Sequence, residues 1–261
     1  MSSYVGAFDC VGVPLTTKLG HTDDMTAIVA TYTPDGFVIG ADGLRRDTNG
    51  KVVTEAARKL YGIRVRDWVL VFAWAGKTHL LDQSGNVVFD FATTSQELLH
   101  AIGREPISDF PQLLARFCDV MFVQLLAKFG PRNSGNSNIL TPGEISTALM
   151  VGYFKGEPSS GEISVRHNGA GFEKPIVQRL DLRSINIFSG SRAMFNIFRP
   201  NGEFKKEELT SVNDGVKLVR EYIELCVRHR NSEPDCADIG GHIHIAKVSP
   251  RGVLWIDQPI M

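Results

Sequence analysis

The chain has 261 residues, 43% of them hydrophobic, and a formal net charge of −1 at pH 7. This length suits one large domain or two small ones around an extended apolar core, and we favour one domain. The charges form no basic patch for nucleic acid, and apolar runs such as residues 69–76 are too short to span a bilayer. We therefore expect a soluble protein without nucleic-acid or membrane partners.

The first 25 residues show little periodicity and contain Asp9, Asp23 and Asp24. They lack the basic region and apolar segment of a secretory signal, so we interpret residues 1–25 as a leader or N-terminal arm and residues 26–261 as the folded domain. The four cysteines have no paired spacing typical of metal sites. These features predict a reduced, cytoplasmic protein with no metal and no cofactor.

Residues 26–42 predict a β-hairpin. Two runs rich in β-branched residues flank the turn sequence Thr33-Pro34-Asp35-Gly36, in which proline presets φ and glycine tolerates a positive φ. Because antiparallel partners count equally away from the turn, Asp42 returns to within about one residue of Thr26. A hydroxyl and a carboxylate are thus brought together by local geometry, although the sequence leaves open whether they share a face.

A second strand pair is predicted at residues 59–63 and 68–74. The later strand is apolar on both faces, which is typical of a strand covered on both sides, and Gly76 follows it. Residues 77–104 are weakly helical, with an interruption at 84–86. Residues 108–111 resemble a helix start with proline in the first turn, and an apolar stripe then continues to Gly130.

After a polar loop at residues 131–143, strand-like runs occur at 146–154, 162–165, 176–182 and 185–188. Ser211 and Asp214 have the spacing of a capping box and open a predicted helix. Gly240 and Gly241 precede the last two strands, at 242–248 and 253–256. This order of elements predicts two sheets enclosed by helical layers.

Five short motifs give the chain a family resemblance. They are Met25-Thr26-Ala27-Ile28-Val29, Ala41-Asp42-Gly43, Lys59-Leu60-Tyr61, Ala75-Gly76 and Gly190-Ser191. In this order, over roughly residues 25–258, they resemble proteasome β-type subunits and the bacterial proteasome-like threonine peptidases of the N-terminal-nucleophile hydrolases. The resemblance implies an α+β fold, a four-layer αββα sandwich. It also implies a ring-shaped homo-oligomer, a peptide or unfolded protein substrate and a possible ATPase or regulator partner.

The resemblance also implies a role for each matched residue. Thr26 takes the place of the nucleophile, Asp42 of its acidic partner, Lys59 of the catalytic lysine and Gly76 of the oxyanion-hole glycine. Ser191 falls on the family's Gly-Ser-Gly turn, with Arg192 in place of the second glycine. The supporting aspartate falls on Asp235 or Asp238, of which we favour Asp238, and Ile239 stands where the family has a serine.

The chemistry of this set can be argued from the residues themselves. A threonine hydroxyl is a poor nucleophile without an adjacent base, and a free α-amine, with a pKa of about 7.7 to 8.0, can supply one. The charge of Lys59 would favour the deprotonated amine, and Asp42 would hold Lys59 charged and in place. The Gly76 N–H would stabilise the oxyanion. The expected reaction is hydrolysis of a peptide bond through an acyl-enzyme on Thr26.

Several alternatives stay open. The mechanism needs Thr26 as the first residue, yet Met25 precedes it where self-processing relatives have glycine; initiation at Met25 followed by methionine removal is a second route. Without an exposed Thr26, the chain would be a catalytically silent subunit with a structural or assembly role. A third interpretation is hydrolysis of a small amide. His242 and His244 share a strand face, and we interpret them as structural residues and not as metal ligands.

Overall fold

The computed structural model describes residues 26–46, 50–82, 84–130, 140, 142–182, 186–188, 198 and 209–257. The predicted leader at residues 1–25 and the predicted site residue Ser191 lie outside the described residues.

The first sheet has five antiparallel strands and contains the predicted hairpin. They are β1 (Ile28–Thr33), β2 (Gly36–Asp42), β12 (Asn186–Phe188), β13 (Ile243–Ser249) and β14 (Gly252–Asp257), in the order β12-β1-β2-β13-β14. Thr33 pairs with Gly36, so Pro34 and Asp35 form the turn. The backbone N–H of Asp42 donates to the Ala27 carbonyl, 3.2 Å away. The predicted return of Asp42 to the start of the hairpin is confirmed.

The second sheet also has five antiparallel strands. They are β5 (Leu60–Val65), β6 (Trp68–Gly76), β9 (Gly143–Phe154), β10 (Glu157–His167) and β11 (Ile176–Arg179), in the order β11-β10-β9-β6-β5. In β6, Phe72 and Trp74 point into one apolar cluster, whereas Val71 and Ala73 point into another, between the two sheets. The prediction of a strand covered on both faces is confirmed.

Two short ribbons connect these elements. One pairs β3 (Arg45–Arg46) with β4 (Val52–Thr54), and the other pairs β7 (His79–Leu81) with β8 (Val87–Asp90). The second ribbon corrects our prediction of a helix over 77–104, because its first half is a hairpin that turns at Gly85, with φ +81°. Helix α1 (Phe91–Ile102) begins only after Asp90, whose carboxylate accepts the N–H of Thr93.

Two longer helices agree with their sequence signals. Helix α2 (Phe110–Phe129) starts after the N-cap Asp109, and α3 (Val212–His229) starts with the predicted capping box of Ser211 and Asp214. By length and composition alone, α2 could cross a membrane. Instead, its apolar stripe, which includes Phe117 and Met121, is buried in a cluster with α1 and the second sheet. This placement is typical of a core helix.

The fold class that we expected needs correction. The described residues form a β-rich fold of two antiparallel sheets with three α-helices, and not a four-layer αββα sandwich. Helices α1 and α2 pack on the second sheet, and α3 packs on the outer face of the first sheet. Of the length that the sequence pattern assigned to helical layers, residues 79–90 form the β7–β8 ribbon instead.

Candidate active site

Asp42 ends β2 and is fully buried. Its Oδ1 accepts the backbone N–H of Ala27 at 3.0 Å, and its Oδ2 accepts those of Leu44 at 3.3 Å and Gly240 at 3.1 Å. The side chain therefore joins the start of β1, the end of β2 and the segment before β13. Because an ionised carboxylate accepts hydrogen bonds and donates none, this set of donors fits the charged form of Asp42.

Lys59 lies immediately before β5 of the second sheet, and its side chain contacts residues at the strand ends of the first sheet. Its Nζ donates to Thr26 Oγ1 at 3.1 Å and to both carboxylate oxygens of Asp42 at 3.2 Å. Lys59 is 8% exposed, whereas Thr26 and Asp42 are inaccessible to solvent. The structure thus brings together three of the predicted site residues.

The electrostatics of this group reflect its burial. Burial raises the pKa of the Asp42 carboxyl, and the Lys59 ammonium and the N–H groups of Gly240 and Ala27 act in the opposite direction. A buried ion pair is favourable only when additional hydrogen bonds satisfy the remaining polar atoms, as the three backbone donors do here. The arrangement holds an ammonium group against the Thr26 hydroxyl.

Gly76 lies at the end of β6, on the strand next to β5. Leu60 pairs with Ala73, so the antiparallel register places Lys59 level with Trp74, and Gly76 lies two residues, or about 7 Å, further along. The φ of Gly76 is +81°, and a Cβ there would lie 2.7 Å from the carbonyl oxygen of Ile145. This position therefore requires glycine. Its place at the strand end keeps it near Lys59.

Our prediction that Asp238 supports Lys59 is corrected by the structure. The Asp238 carboxylate forms an ion pair with Arg46, with Oδ1 3.1 Å from Nε. The same segment instead contributes its backbone, because the Gly240 N–H binds Asp42 and the Gly240 carbonyl accepts the N–H groups of Gly43 and Leu44. Sequence reasoning missed this role of Gly240. The adjacent Gly240-Gly241 pair was the signal that could have indicated it.

Gly241 explains why this segment approaches so closely. Its φ is +73°, and a Cβ there would lie 2.3 Å from the carbonyl oxygen of Glu55. The following N–H, of His242, donates to that same carbonyl at 2.6 Å. The glycine thus lets the segment before β13 pack against the chain that leads to Lys59.

His244, which we interpreted from the sequence as a structural residue, lies next to the site. It lies on β13 opposite Ala41, is 1% exposed, and its ring hydrogen-bonds the backbone of Ala57. Burial, together with the neighbouring His242, lowers the pKa of His244 to about 4, and the charge of Lys59 acts in the same direction. A neutral imidazole therefore lies behind the Lys59 site. Among the described residues, no group of three or more His, Cys, Asp or Glu side chains is arranged to hold a metal.

Comparisons with known proteins identify relatives of the fold. No protein-family model matches the chain, and no curated protein matches it in sequence. Among solved structures, the chain is similar to the helical assembly of the Anbu complex from Pseudomonas aeruginosa, with a TM-score of 0.58 and 15% identity over 90% of this chain and 86% of that one. It is also similar to Anbu, the ancestral beta-subunit, from Yersinia bercovieri, with a TM-score of 0.53 and 15% identity over 88% and 87% of the two chains.

These neighbours correct the family that the sequence motifs resemble. The structural relatives are Anbu proteins, which form a family distinct from the proteasome β-type subunits and bacterial threonine peptidases that we expected. The matching motifs are only two to five residues long and reflect the local geometry around a hydroxyl and a lysine. Different families with the same fold can share such local geometry, so the motifs did not identify the family. At 15% identity, the likeness establishes the fold alone.

Proposed function

We propose that this chain hydrolyses peptide bonds, with the Thr26 hydroxyl as nucleophile. The observation that carries the proposal is the position of Lys59 Nζ, 3.1 Å from Thr26 Oγ1 and 3.2 Å from both oxygens of the buried Asp42 carboxylate. An ammonium held in this way stabilises negative charge that develops on the threonine oxygen. Lys59 is 8% exposed and is therefore not a surface lysine.

The proposed reaction begins when the Thr26 hydroxyl attacks a substrate carbonyl carbon. The free α-amine of Thr26 accepts the hydroxyl proton, and Lys59 stabilises the developing alkoxide by charge. The Gly76 N–H is proposed to donate to the oxyanion of the tetrahedral intermediate. The amine then returns the proton to the leaving nitrogen, which yields an ester between Thr26 and the acyl part of the substrate. A water molecule, activated by the same amine, hydrolyses this ester.

The proposal requires that Thr26 carry a free α-amine. Removal of residues 1–25, or initiation at Met25 with loss of the methionine, would provide it. The Anbu complex from Pseudomonas aeruginosa forms a helical assembly, and we extend homo-oligomerisation to this chain as part of the proposal. A cytoplasmic location belongs to the same proposal.

The direct test uses protein that begins at residue 26, with Thr26→Ala and Thr26→Ser variants. We expect Thr26→Ala to lower the hydrolysis of fluorogenic peptides by a factor of about 10⁴ or more, because the nucleophile is lost. Thr26→Ser keeps a hydroxyl and an amine in the same place and should retain measurable hydrolysis. Undiminished activity in Thr26→Ala would exclude the proposed nucleophile.

One observation favours a second candidate, a silent assembly subunit. In the full chain Thr26 follows Met25, so its nitrogen is part of a peptide bond. A peptide electrophile separates the two candidates, because it would label Thr26 in a hydrolase and leave it unmodified in a silent subunit. Parallel assays with small amides and with longer peptides would separate peptide hydrolysis from hydrolysis of a small amide.

A further inference from the structure

The three chain segments that carry Asp42, Lys59 and Gly76 also bring a second group of side chains together, one to three residues away from these positions. Arg45 lies three residues after Asp42, Arg58 and Tyr61 flank Lys59, and His79 lies three residues after Gly76. Their side chains form a group next to the candidate site together with the start of α1. The group, which we call the Arg45 cluster, consists of Arg45, Arg58, Tyr61, Thr78, His79 and Asp90.

Hydrogen bonds link one side of the Arg45 cluster. Arg45 Nη2 lies 3.4 Å from His79 Nδ1, and Thr78 Oγ1 lies 2.9 Å from the same nitrogen. On the other side of the ring, His79 Nε2 lies 2.8 Å from Asp90 Oδ2. The second carboxylate oxygen of Asp90 accepts the N–H of Thr93 at 2.7 Å. Both carboxylate oxygens of Asp90 are therefore already bound, one by His79 and the other by the N-terminus of α1.

Arg58 completes the other side. Its guanidinium carbon lies 5.4 Å from the centre of the Tyr61 ring and 5.6 Å from that of Trp255. Burial and the charge of Asp90 raise the pKa of Tyr61, whereas the charges of Arg58 and Arg45 lower it. The two guanidinium groups and the carboxylate thus lie close enough to act on one phenol.

The charges of the Arg45 cluster do not cancel. Burial acts to raise the pKa of Asp90, but the hydrogen bonds from His79 and from the Thr93 N–H outweigh it and lower this pKa to about 2, so Asp90 contributes one negative charge at neutral pH. Arg45 and Arg58 contribute two positive charges. Within the described part of the chain, exposed Arg45 forms no ion pair with a carboxylate, and its side-chain hydrogen-bond partner is the ring of His79. A guanidinium is therefore available to an anion from outside.

We propose that the Arg45 cluster binds the carboxylate of an acidic side chain in the peptide substrate, one or two residues from the bond that is cleaved. This inference rests on the proposed function. Three residues of chain span at most about 10 Å, so Arg45 lies within the reach of a short peptide whose scissile bond lies at Thr26, beside Lys59 and Asp42. A guanidinium matches a carboxylate with two parallel hydrogen bonds.

The test compares peptides that differ only in charge. Two fluorogenic series carry Asp or the isosteric Asn, one on the acyl side and one on the amine side of the scissile bond. We expect the purified protein to have a kcat/KM about tenfold or more higher for Asp than for Asn in at least one series, since hydrogen bonds to charged groups are strong. Arg45→Gln should remove this preference, because it should lower kcat/KM for the Asp peptide far more than for the Asn peptide.

A matched control is Arg104→Gln. Arg104 is also exposed but follows the C-terminal end of α1, and the 12 residues of that helix place it about 18 Å from Asp90. This variant should keep the wild-type preference for Asp. Equal kcat/KM for Asp and Asn peptides in both series, or a preference that survives in Arg45→Gln, would overturn the proposed subsite.

Binding separates this inference from the proposed function. Fluorescence anisotropy of labelled Asp and Asn peptides with the Thr26→Ala variant reports the subsite without any hydrolysis. Tighter binding of the Asp peptide, lost in the Thr26→Ala, Arg45→Gln double variant, supports the subsite even if no peptide is cleaved. Hydrolysis that depends on Thr26 but shows no preference for Asp would support the proposed function and exclude the proposed subsite.

Discussion

Lys59 and Asp42 form a buried ion pair whose energetic role depends on the groups around it. Removing two charges from water costs several kcal/mol per ion, and mutual attraction offsets this cost only with good geometry. Here the Asp42 carboxylate also accepts three backbone N–H groups, and Lys59 also donates to Thr26. We therefore attribute to the pair a role in positioning, because it holds Lys59 against the Thr26 hydroxyl, and an apolar residue in place of Asp42 would leave three buried N–H groups without an acceptor.

His244 makes a prediction about pH at the residue scale. Its pKa is lowered from 6.5 to about 4, so the unfolded chain binds a proton between these values that the folded chain does not. The stability that neutral His244 contributes is complete above about pH 6.5 and is lost as the pH falls towards 4. The difference between the two pKa values of His244 corresponds to at most about 3 kcal/mol of unfolding free energy.

The measurement compares wild type with His244→Gln, whose amide can still donate to the Ala57 carbonyl. Urea unfolding at pH 7.5 and pH 4.5 gives the loss of unfolding free energy in each protein. The wild type should lose more than the variant, since carboxylates elsewhere affect both proteins alike. Equal losses in the two proteins would contradict the role assigned to His244.

The sequence could predict part of the site because that part is local. Ile28 pairs with Ala41 in one tight hairpin, so counting residues from the turn places Asp42 opposite Ala27, next to Thr26. The contact with Asp42 made by Gly240, 198 residues away, depends on the direction of a backbone N–H and could not be predicted from residue types. The prediction for Asp238 was wrong for the same reason, since its side chain turns to Arg46 while its backbone segment reaches the site.

At the scale of elements, helix α3 lies close to β2 because of a glycine. A Cβ on Gly40 would lie 2.3 Å from Cγ1 of Val219 on α3 and 3.2 Å from the carbonyl oxygen of His244. Val219 is fully buried. The small residue in β2 therefore sets how closely the helix can approach the strand that ends in Asp42.

A double-mutant cycle tests this packing. Gly40→Ala should lower the free energy of unfolding by about 1–3 kcal/mol, because the added methyl group overpacks the interface. In a Val219→Ala background the clashing atom is absent, so the same substitution should cost about 1 kcal/mol less. Urea unfolding of the four proteins measures the coupling. Additivity within about 0.5 kcal/mol would mean that Val219 does not limit the approach.

Whether a segment is a helix or a strand was predictable where its hydrophobic period and its capping residues agreed. The capping box at Ser211 and the N-cap at Asp109 are local hydrogen-bonding patterns, and both helices start as predicted. The β7–β8 ribbon was mistaken for a weak helix because its two strands are only three and four residues long. So short a segment contains too few residues to separate a period of two from one of 3.6.

At the scale of the whole molecule, two sheets meet face to face and the candidate site lies where their strand ends converge. Asp42 ends β2 and Thr26 lies just before β1 of the first sheet, whereas Lys59 lies just before β5 of the second, so the site exists only when both sheets are packed. The predicted sandwich class was wrong because hydrophobic periodicity in the sequence does not show how many helices pack on each face of a sheet. The family was wrong because short motifs record site geometry, whereas the full chain has the fold of Anbu proteins.

The central claim is that Thr26 acts as an N-terminal nucleophile, and one measurement tests it most directly. We would purify the species that hydrolyses peptides and determine its intact mass and N-terminal sequence. The account predicts a chain that begins at Thr26, which exposes the α-amine that accepts the hydroxyl proton. A hydrolytically active chain that begins upstream, with the Thr26 nitrogen still in a peptide bond, would contradict it.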